Sequence, residues 1–231
     1  MNMHDGRVVL VTGGAVGIGA GICQAFAESG ASVSVADIDG DAAHQFADKL
    51  KNEGHRAVAV TGDVRVLNDA KRMVNESIES LGALDVLVNN AGIQHRELIA
   101  NLALADWQRV IDTNLTSAFL VGREVGKRMV KHKRGGKIIN IGSLTSTAAR
   151  ASIAPYTAAK GGIKMLTQAM AAEWAEHNIQ VNAIGPGYMI TDLTEPLVNS
   201  SEFDTWIKAR TPARRWGMPG DLAGTAIFLS S

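Results

Sequence analysis

Short apolar runs rich in β-branched residues alternate along the chain with longer stretches whose apolar residues recur at helical spacing. The short runs predict strands at 7–11, 32–36, 57–61, 84–89, 137–142 and 179–184. Such runs alternating with longer amphipathic ones are the signature of a parallel sheet covered by helices on both faces. Between them the periodicity predicts helices near 17–29, 41–52, 67–81, 106–134 and 155–177. No linker, repeat or low-complexity segment interrupts the alternation. The expectation is one domain over 1–231, a doubly wound α/β fold in three layers, helices on both faces of the sheet. From 191 to 215 the pattern loosens and carries Pro196, Trp206 and Pro212, with Trp216 just beyond. A stretch beyond a strand's C-terminal end is placed to cover substrate, and residues 188–217 are given that task. A helical run at 221–229 ends at Ser230-Ser231. The alternation calls for one more strand, which does not follow, so six are expected.

Composition narrows the class. Apolar residues make up 46% of 231 residues, enough for a substantial core, yet no stretch of about 18 is uninterrupted enough to span a membrane. Residues 1–6 are short and polar and lack the layout of a secretory signal. Cys23 is the sole cysteine, which excludes an internal disulfide and suits a reducing, cytoplasmic setting. With no histidine near it in sequence, it reads as a small buried helix residue. The 23 basic and 23 acidic residues balance, so charge gives no case for nucleic acid or an anionic membrane. One local basic run, Lys127, Arg128, Lys131, His132, Lys133 and Arg134, closes the long helical pattern before Gly135-Gly136. Cations there complement the helix dipole, and no aromatics are interleaved to stack on bases.

The chemistry begins at the first strand, which runs into Thr12-Gly13-Gly14-Ala15-Val16-Gly17-Ile18-Gly19 and then a helix. Gly13 permits a tight turn, Gly17 lets the backbone approach a pyrophosphate, and Gly19 allows close helix–strand packing. The helix N-terminus offers unpaired N–H groups to the phosphates. Placement between strand and helix of a βαβ unit makes this a dinucleotide site rather than a plain turn, with Ala15, Val16 and Ile18 among its contacts. Asp37 closes the second strand about 20 residues on, where a carboxylate binds the adenosine ribose and repels a 2′-phosphate. Ile38 follows it. No lysine or arginine stands in the glycine loop or beside Asp37, so NAD(H) is expected in preference to NADP(H).

Tyr156 and Lys160, four apart in a helical pattern, share one face. Ser143 lies just past the fifth strand, where open α/β sheets bind ligands. Asn114 places a polar group in the long helix where an apolar face is expected. Alcohol oxidation needs a base near working pH, and free tyrosine titrates near 10. A lysine ammonium about 4–6 Å away, together with oxidised nicotinamide, is expected to favour the phenolate. Ser143 would orient the substrate oxygen, Lys160 the nicotinamide ribose, and Asn114 a water that restores the lysine's proton. No metal is called for, since the six histidines show no ligand spacing.

Thr12-Gly-x₃-Gly-x-Gly19, Asn89-Asn90-Ala91-Gly92, Ser143, Tyr156-x₃-Lys160 and Pro186-Gly187 stand in one order over essentially the whole chain. In order and spacing they resemble the short-chain dehydrogenase/reductase family, in its shorter branch. The resemblance implies a Rossmann-type fold and a tetrad of Asn114, Ser143, Tyr156 and Lys160. It also implies that Asp63 and Val64 flank the adenine, and that Asn90, Ala91 and Gly92 support the cofactor. Pro186, Gly187, Met189 and Thr191 would hold the nicotinamide carboxamide. Finer stretches, Ala91-Gly-Ile-Gln-His-Arg96, Pro186-Gly-Tyr188 and Arg210-Thr-Pro-Ala-Arg-Arg-Trp-Gly217, resemble gluconate 5-dehydrogenases. The related 2-deoxygluconate 3-dehydrogenases share some of them. The implied reaction moves a hydride between NAD(H) and a polyol or keto-sugar acid such as gluconate or 5-ketogluconate.

A sugar acid needs a cation, and Arg96, on the loop leaving the fourth strand, would meet it beside Ser143 and Tyr156. A 3-oxoacyl thioester reductase would share the chemistry, but Asp37 and Val16 stand against the NADPH that such activity usually uses. The family normally continues past Leu-Ser-Ser with a seventh strand and tail. A truncated chain is therefore expected, and with it the further alternative of a cofactor-binding protein with little catalysis. The expected assembly is a homo-oligomer, either a dimer through the helices at 106–134 and 155–177 or a weakened tetramer.

Overall fold

The computed structural model describes residues 3–231. Strand and helix alternate from the start. β1 (Val8–Thr12) leads into α1 (Gly17–Glu28), β2 (Ser32–Asp37) into α2 (Gly40–Asn52), and β3 (Ala57–Thr61) into α3 (Leu67–Leu81). β4 (Val86–Asn89) is followed by α4 (Leu104–Ile111), a π-helical turn at Asp112–Thr116 and α5 (Ser117–His132). β5 (Gly136–Ile141), α6 (Ala154–Trp174) and β6 (Ile179–Ile184) come next. The chain ends through α7 (Glu195–Val198), α8 (Ser201–Arg210) and α9 (Ala223–Ser230).

The six strands pair in parallel in the order β3-β2-β1-β4-β5-β6. From β1 the chain first builds outward to β3, then returns to the other side at β4. That reversal opens a crevice between the C-terminal ends of β1 and β4. Thr12 faces both Ala36 and Asn89 in the register, so three strands end at one level there.

Alternation along the strands divides the core. Val9 and Val11 of β1 pack with Ile22 and Phe26 of α1 and Leu50 of α2. Val8 and Leu10 face the opposite layer, with Met73 of α3, Val121 and Val125 of α5, and Met170 of α6. Cys23 lies in the first layer, where burial and then the charge of Asp37 push its thiol well up. It is the buried helix residue expected.

Some limits differ from the sequence reading, for local reasons. β4 begins at Val86 rather than 84; Asp85 before it bonds through its backbone to Val8 and Lys137, and its carboxylate accepts the Val8 N–H at 2.9 Å. The 106–134 helix is interrupted by the π turn. The loose 191–215 segment contains α7 and α8; α8 is capped by Ser200 but buries only Ile207, too thin an apolar face to read. The basic run behaves only partly as a dipole cap. α5 does end at His132, with Lys133 left-handed at φ 54°. Lys127 and Arg128, however, turn to Glu124, a buried carboxylate, at 3.1 and 3.6 Å. Burial raises the Glu124 pKa, but hydrogen bonds and charge from Lys127 and Arg123 win and hold it below its usual range. Among the described residues no helix is long and apolar enough to cross a membrane, and no group of three or more His, Cys, Asp or Glu could hold a metal.

Candidate active site

The crevice between β1 and β4 holds a cavity of about 420 Å³. Gly13, Val16, Gly17 and Ile18 form one wall, with Asp37, Ile38, Asp63 and Val64 beyond them. Asn90, Ala91, Gly92, Tyr156, Lys160 and Thr191 close the other side. The backbone explains the glycines. Gly13 and Gly17 are left-handed, at φ 60° and 56°, and a Cβ on Gly13 would stand 2.9 Å from the Ala91 Cα. Asn90 ties the loop to β4, its Nδ2 donating to the carbonyls of Thr12 at 3.1 Å and Gly13 at 2.8 Å. α1 starts without a side-chain cap and without an acidic residue in its first turn, which suits it to an anion. These features fit a dinucleotide.

Asp37 lies on the cavity wall and also braces it. One carboxylate oxygen accepts the Ala15 N–H at 3.2 Å, the other that of Asp39 at 3.2 Å. The cap of α2 is Asp39, which accepts the Ala42 N–H at 3.0 Å. Several residues named for the cofactor do not themselves line this cavity. Ala15 is buried behind the loop with its N–H on Asp37. Gly19 serves packing, since a Cβ there would overlap the Gly13 carbonyl oxygen and come 2.6 Å from Asn90 Nδ2. Met189 is buried and bridges to Gly217, while Pro186 and Gly187 line a neighbouring cavity. Of the four residues expected at the carboxamide, Thr191 alone lines the crevice.

The tetrad comes from three elements. Ser143 follows β5, its Oγ accepting the Thr145 N–H at 3.1 Å. Pro155 sets the start of α6, so Tyr156 falls in the first turn and Lys160 one turn on. Lys160 is buried, its Nζ 5.6 Å from the centre of the Tyr156 ring and donating to the Ile141 carbonyl at 2.6 Å. Asn114 sits in the π turn, a distortion often found at functional sites. Its Oδ1 accepts the Ile93 N–H and its Nδ2 donates to the Ile93 carbonyl, both at 2.8 Å. The amide thus braces the loop leading to Arg96.

Among the protein's own groups, burial dominates the electrostatics. Burial raises the Tyr156 pKa above its ordinary value, against a hydrogen bond from Ser143 and the charge of Arg96. The Lys160 amine is itself desolvated and directed at the Ile141 carbonyl. Tyr156 therefore keeps its proton at neutral pH, the form a carbonyl reduction needs.

Burial lowers Lys160 from 10.5 to about 8. Between those values the folded protein binds fewer protons than the unfolded chain, so stability rises with pH across that window. Below about pH 8 the buried ammonium carries a penalty on the order of 3 kcal/mol. Lys160→Met should raise the Tm at pH 7 by a few degrees and flatten the rise above pH 8. Thermal melts across that range check this; an unchanged slope would contradict it.

Beside Tyr156 opens a second cavity of about 350 Å³. Ser143, Tyr156 and Arg96 share it, as expected, with Gln94, whose Oε1 accepts from Arg96 Nη2 at 3.4 Å. The sequence reading did not single out Gln94 or Arg150, while Tyr188 and Trp206 fall in the 188–217 segment given to the substrate cover. Gln94 and Tyr188 lay inside the quoted stretches, but nothing in their spacing marked them.

A family model described as short chain dehydrogenase matches residues 7–202. The chain is 43% identical over 226 residues to the 5-keto-D-gluconate 5-reductase of Escherichia coli (strain K12), covering 98% of this chain and 89% of that protein. A crystal structure of a candidate gluconate dehydrogenase from Agrobacterium tumefaciens is 52% identical with a TM-score of 0.96, covering 100% of this chain and 91% of that one. A gluconate 5-dehydrogenase from Burkholderia cenocepacia, solved with NADP and tartrate, is 40% identical with a TM-score of 0.95, covering 100% and 90%. The chain belongs to the short-chain dehydrogenase/reductase family. It is an oxidoreductase with a nucleotide-binding Rossmann-type fold.

Proposed function

We propose that the protein reduces the ketone of a keto-sugar acid such as 5-ketogluconate, and runs the reverse oxidation of gluconate, with Tyr156 as general acid and base. One observation carries this reading: Tyr156 lines both cavities, and Ser143 and Arg96 share the second with it. When bound, the nicotinamide supplies the hydride donor or acceptor. Gly13, Val16, Gly17 and Ile18 would hold its phosphates, Asp37 and Ile38 the adenosine ribose, and Asp63 and Val64 the adenine. Lys160, Asn90, Ala91, Gly92 and Thr191 would hold the nicotinamide half. Tyr156 gives its proton to the carbonyl oxygen as the alcohol forms, and Ser143 donates a hydrogen bond to the same oxygen. Arg96 takes the carboxylate.

The E. coli relative's name supports the substrate class. Steady-state kinetics test it: kcat/KM for 5-ketogluconate should exceed that for a 3-oxoacyl thioester about a hundredfold or more. The reverse ranking would replace this reading with thioester reduction.

NAD(H) is the finer cofactor proposal. Its support is the Asp37 carboxylate on the cavity wall, a charge that would repel a nearby 2′-phosphate. The NADP in the Burkholderia structure belongs to that protein. Asp37→Asn keeps the shape and removes the charge. It should shift the NADH-to-NADPH ratio of kcat/KM toward NADPH about tenfold or more. A wild-type enzyme that already prefers NADPH would contradict the assignment.

Residues 188–217, with α7 and α8, are taken as the substrate cover. A homo-oligomer would use α5 and α6, where Phe119 and Met165 are exposed; sedimentation would read its state. The buried free cysteine suits a reducing, cytoplasmic compartment.

A further inference from the structure

We infer that Arg150 is a second anion-recognising residue, which with Arg96 holds the substrate carboxylate and makes the cavity choose sugar acids over neutral ketoses. The inference deepens the proposed function and rests on it.

Arg150 stands on the loop between the short 3₁₀ turn Leu144–Ser146 and α6. Its guanidinium lies 4.9 Å from the centre of the Phe203 ring, and its Nη1 donates to the Tyr188 hydroxyl at 3.4 Å. Aromatic neighbours thus set the plane of the fork while leaving its charge uncompensated. The same holds for the whole cavity. Arg96, Arg150 and Arg210 line it, and no aspartate or glutamate does. None of the three has an ion-pair partner within 4.0 Å among the described residues. Arg210 is instead stacked on Trp206, 5.5 Å from the ring centre.

Gathered like charges beside apolar walls cost free energy unless an anion joins them. Here the walls include Ile153, Leu193 and Leu197. Burial first, and then the charge of Arg150, lowers the Arg96 pKa, so the two guanidiniums lie within electrostatic reach of each other. A carboxylate bound between them would relieve that repulsion and accept charge-assisted hydrogen bonds from both. Ser143 and Tyr156 lie in the same cavity. A substrate with its carbonyl at these hydroxyls and its carboxylate at the arginines is held at two points. A neutral ketose would be held at one.

The test compares wild type with Arg150→Met, Arg150→Lys and, as a control, Lys131→Gln, an exposed cation at the far end of α5. Calorimetry measures gluconate binding in the presence of NADH, and kinetics measure the kcat/KM ratio of 5-ketogluconate to fructose. In Arg150→Met, gluconate affinity and that ratio should each fall about tenfold to a hundredfold, chiefly through KM. Arg150→Lys should recover part of the loss, since charge returns without the fork. Lys131→Gln should match wild type. Arg150→Met within about twofold of wild type on both measures would overturn the inference. If Arg150→Met fails to fold, Arg150→Lys decides by the same criterion against wild type. Should wild type bind gluconate but not reduce 5-ketogluconate, the proposed reaction fails while the calorimetric comparison still judges Arg150. No gluconate binding by wild type would overturn both.

Discussion

Tyr156→Phe should lower kcat for carbonyl reduction about a thousandfold while dinucleotide affinity stays within a few-fold of wild type. The substitution removes one oxygen. The ring remains packed on α6, with Lys160 Nζ over it and still bonded to the Ile141 carbonyl. What disappears is the buried proton donor. Burial holds the Tyr156 pKa above its ordinary value, so wild-type reduction should be steady through neutral pH and decline only as the phenol ionises. Oxidation needs the phenolate and should rise with pH instead. In the variant Ser143 still polarises the carbonyl, but nothing positioned protonates the developing alkoxide. Single-turnover oxidation of NADH, with a parallel fluorescence titration of NADH binding, separates chemistry from cofactor affinity. A variant keeping more than about a tenth of wild-type kcat would show that another group delivers the proton.

Gly19→Ala should be the most damaging small substitution in the cofactor site, costing on the order of 3 kcal/mol of stability and most of the dinucleotide affinity. Alanine is ordinarily the better helix residue by about 1 kcal/mol, so a neutral site would gain. Here the added methyl would overlap the Gly13 carbonyl oxygen and approach Asn90 Nδ2 to 2.6 Å. Neither can move cheaply. Gly13 is held left-handed, and Asn90 Nδ2 donates to two carbonyls of the same loop. The methyl must push α1 off the loop, and with it the N–H groups offered to the phosphates. Gly224→Ala, in α9 with nothing within 4 Å of the new methyl, is the comparison and should leave the Tm nearly unchanged. Equal melting curves for the two variants would refute the packing argument.

Period and β-branching placed the strands most clearly where both faces are buried, as in β1 and β4, and α3 fell on its predicted limits. The glycine loop and the Tyr156–Lys160 pair were legible because their work depends on spacing along one local segment. What the sequence hid depends on the third dimension. Asp-Thr-Asn-Leu-Thr reads the same in an α or a π turn, so the Asn114 bonds to Ile93 could not be foreseen. The direction of the Tyr156 shift turns on how deeply the ring is buried. The burial of Glu124 likewise depends on how α5 packs, which its place in the helical pattern does not show. Arg150 has no periodicity or motif to mark it; its meaning comes from lying over Phe203, 53 residues away, on the wall of an acid-free cavity.

The central claim is that these residues form a working hydride-transfer site for a keto-sugar acid. Incubating the protein with 5-ketogluconate and NADH deuterated at the transferring carbon tests it most directly. The account predicts deuterium on the new carbinol carbon of the product, lost in step with kcat in Tyr156→Phe. Bound NADH with no deuterium in the sugar acid would contradict it.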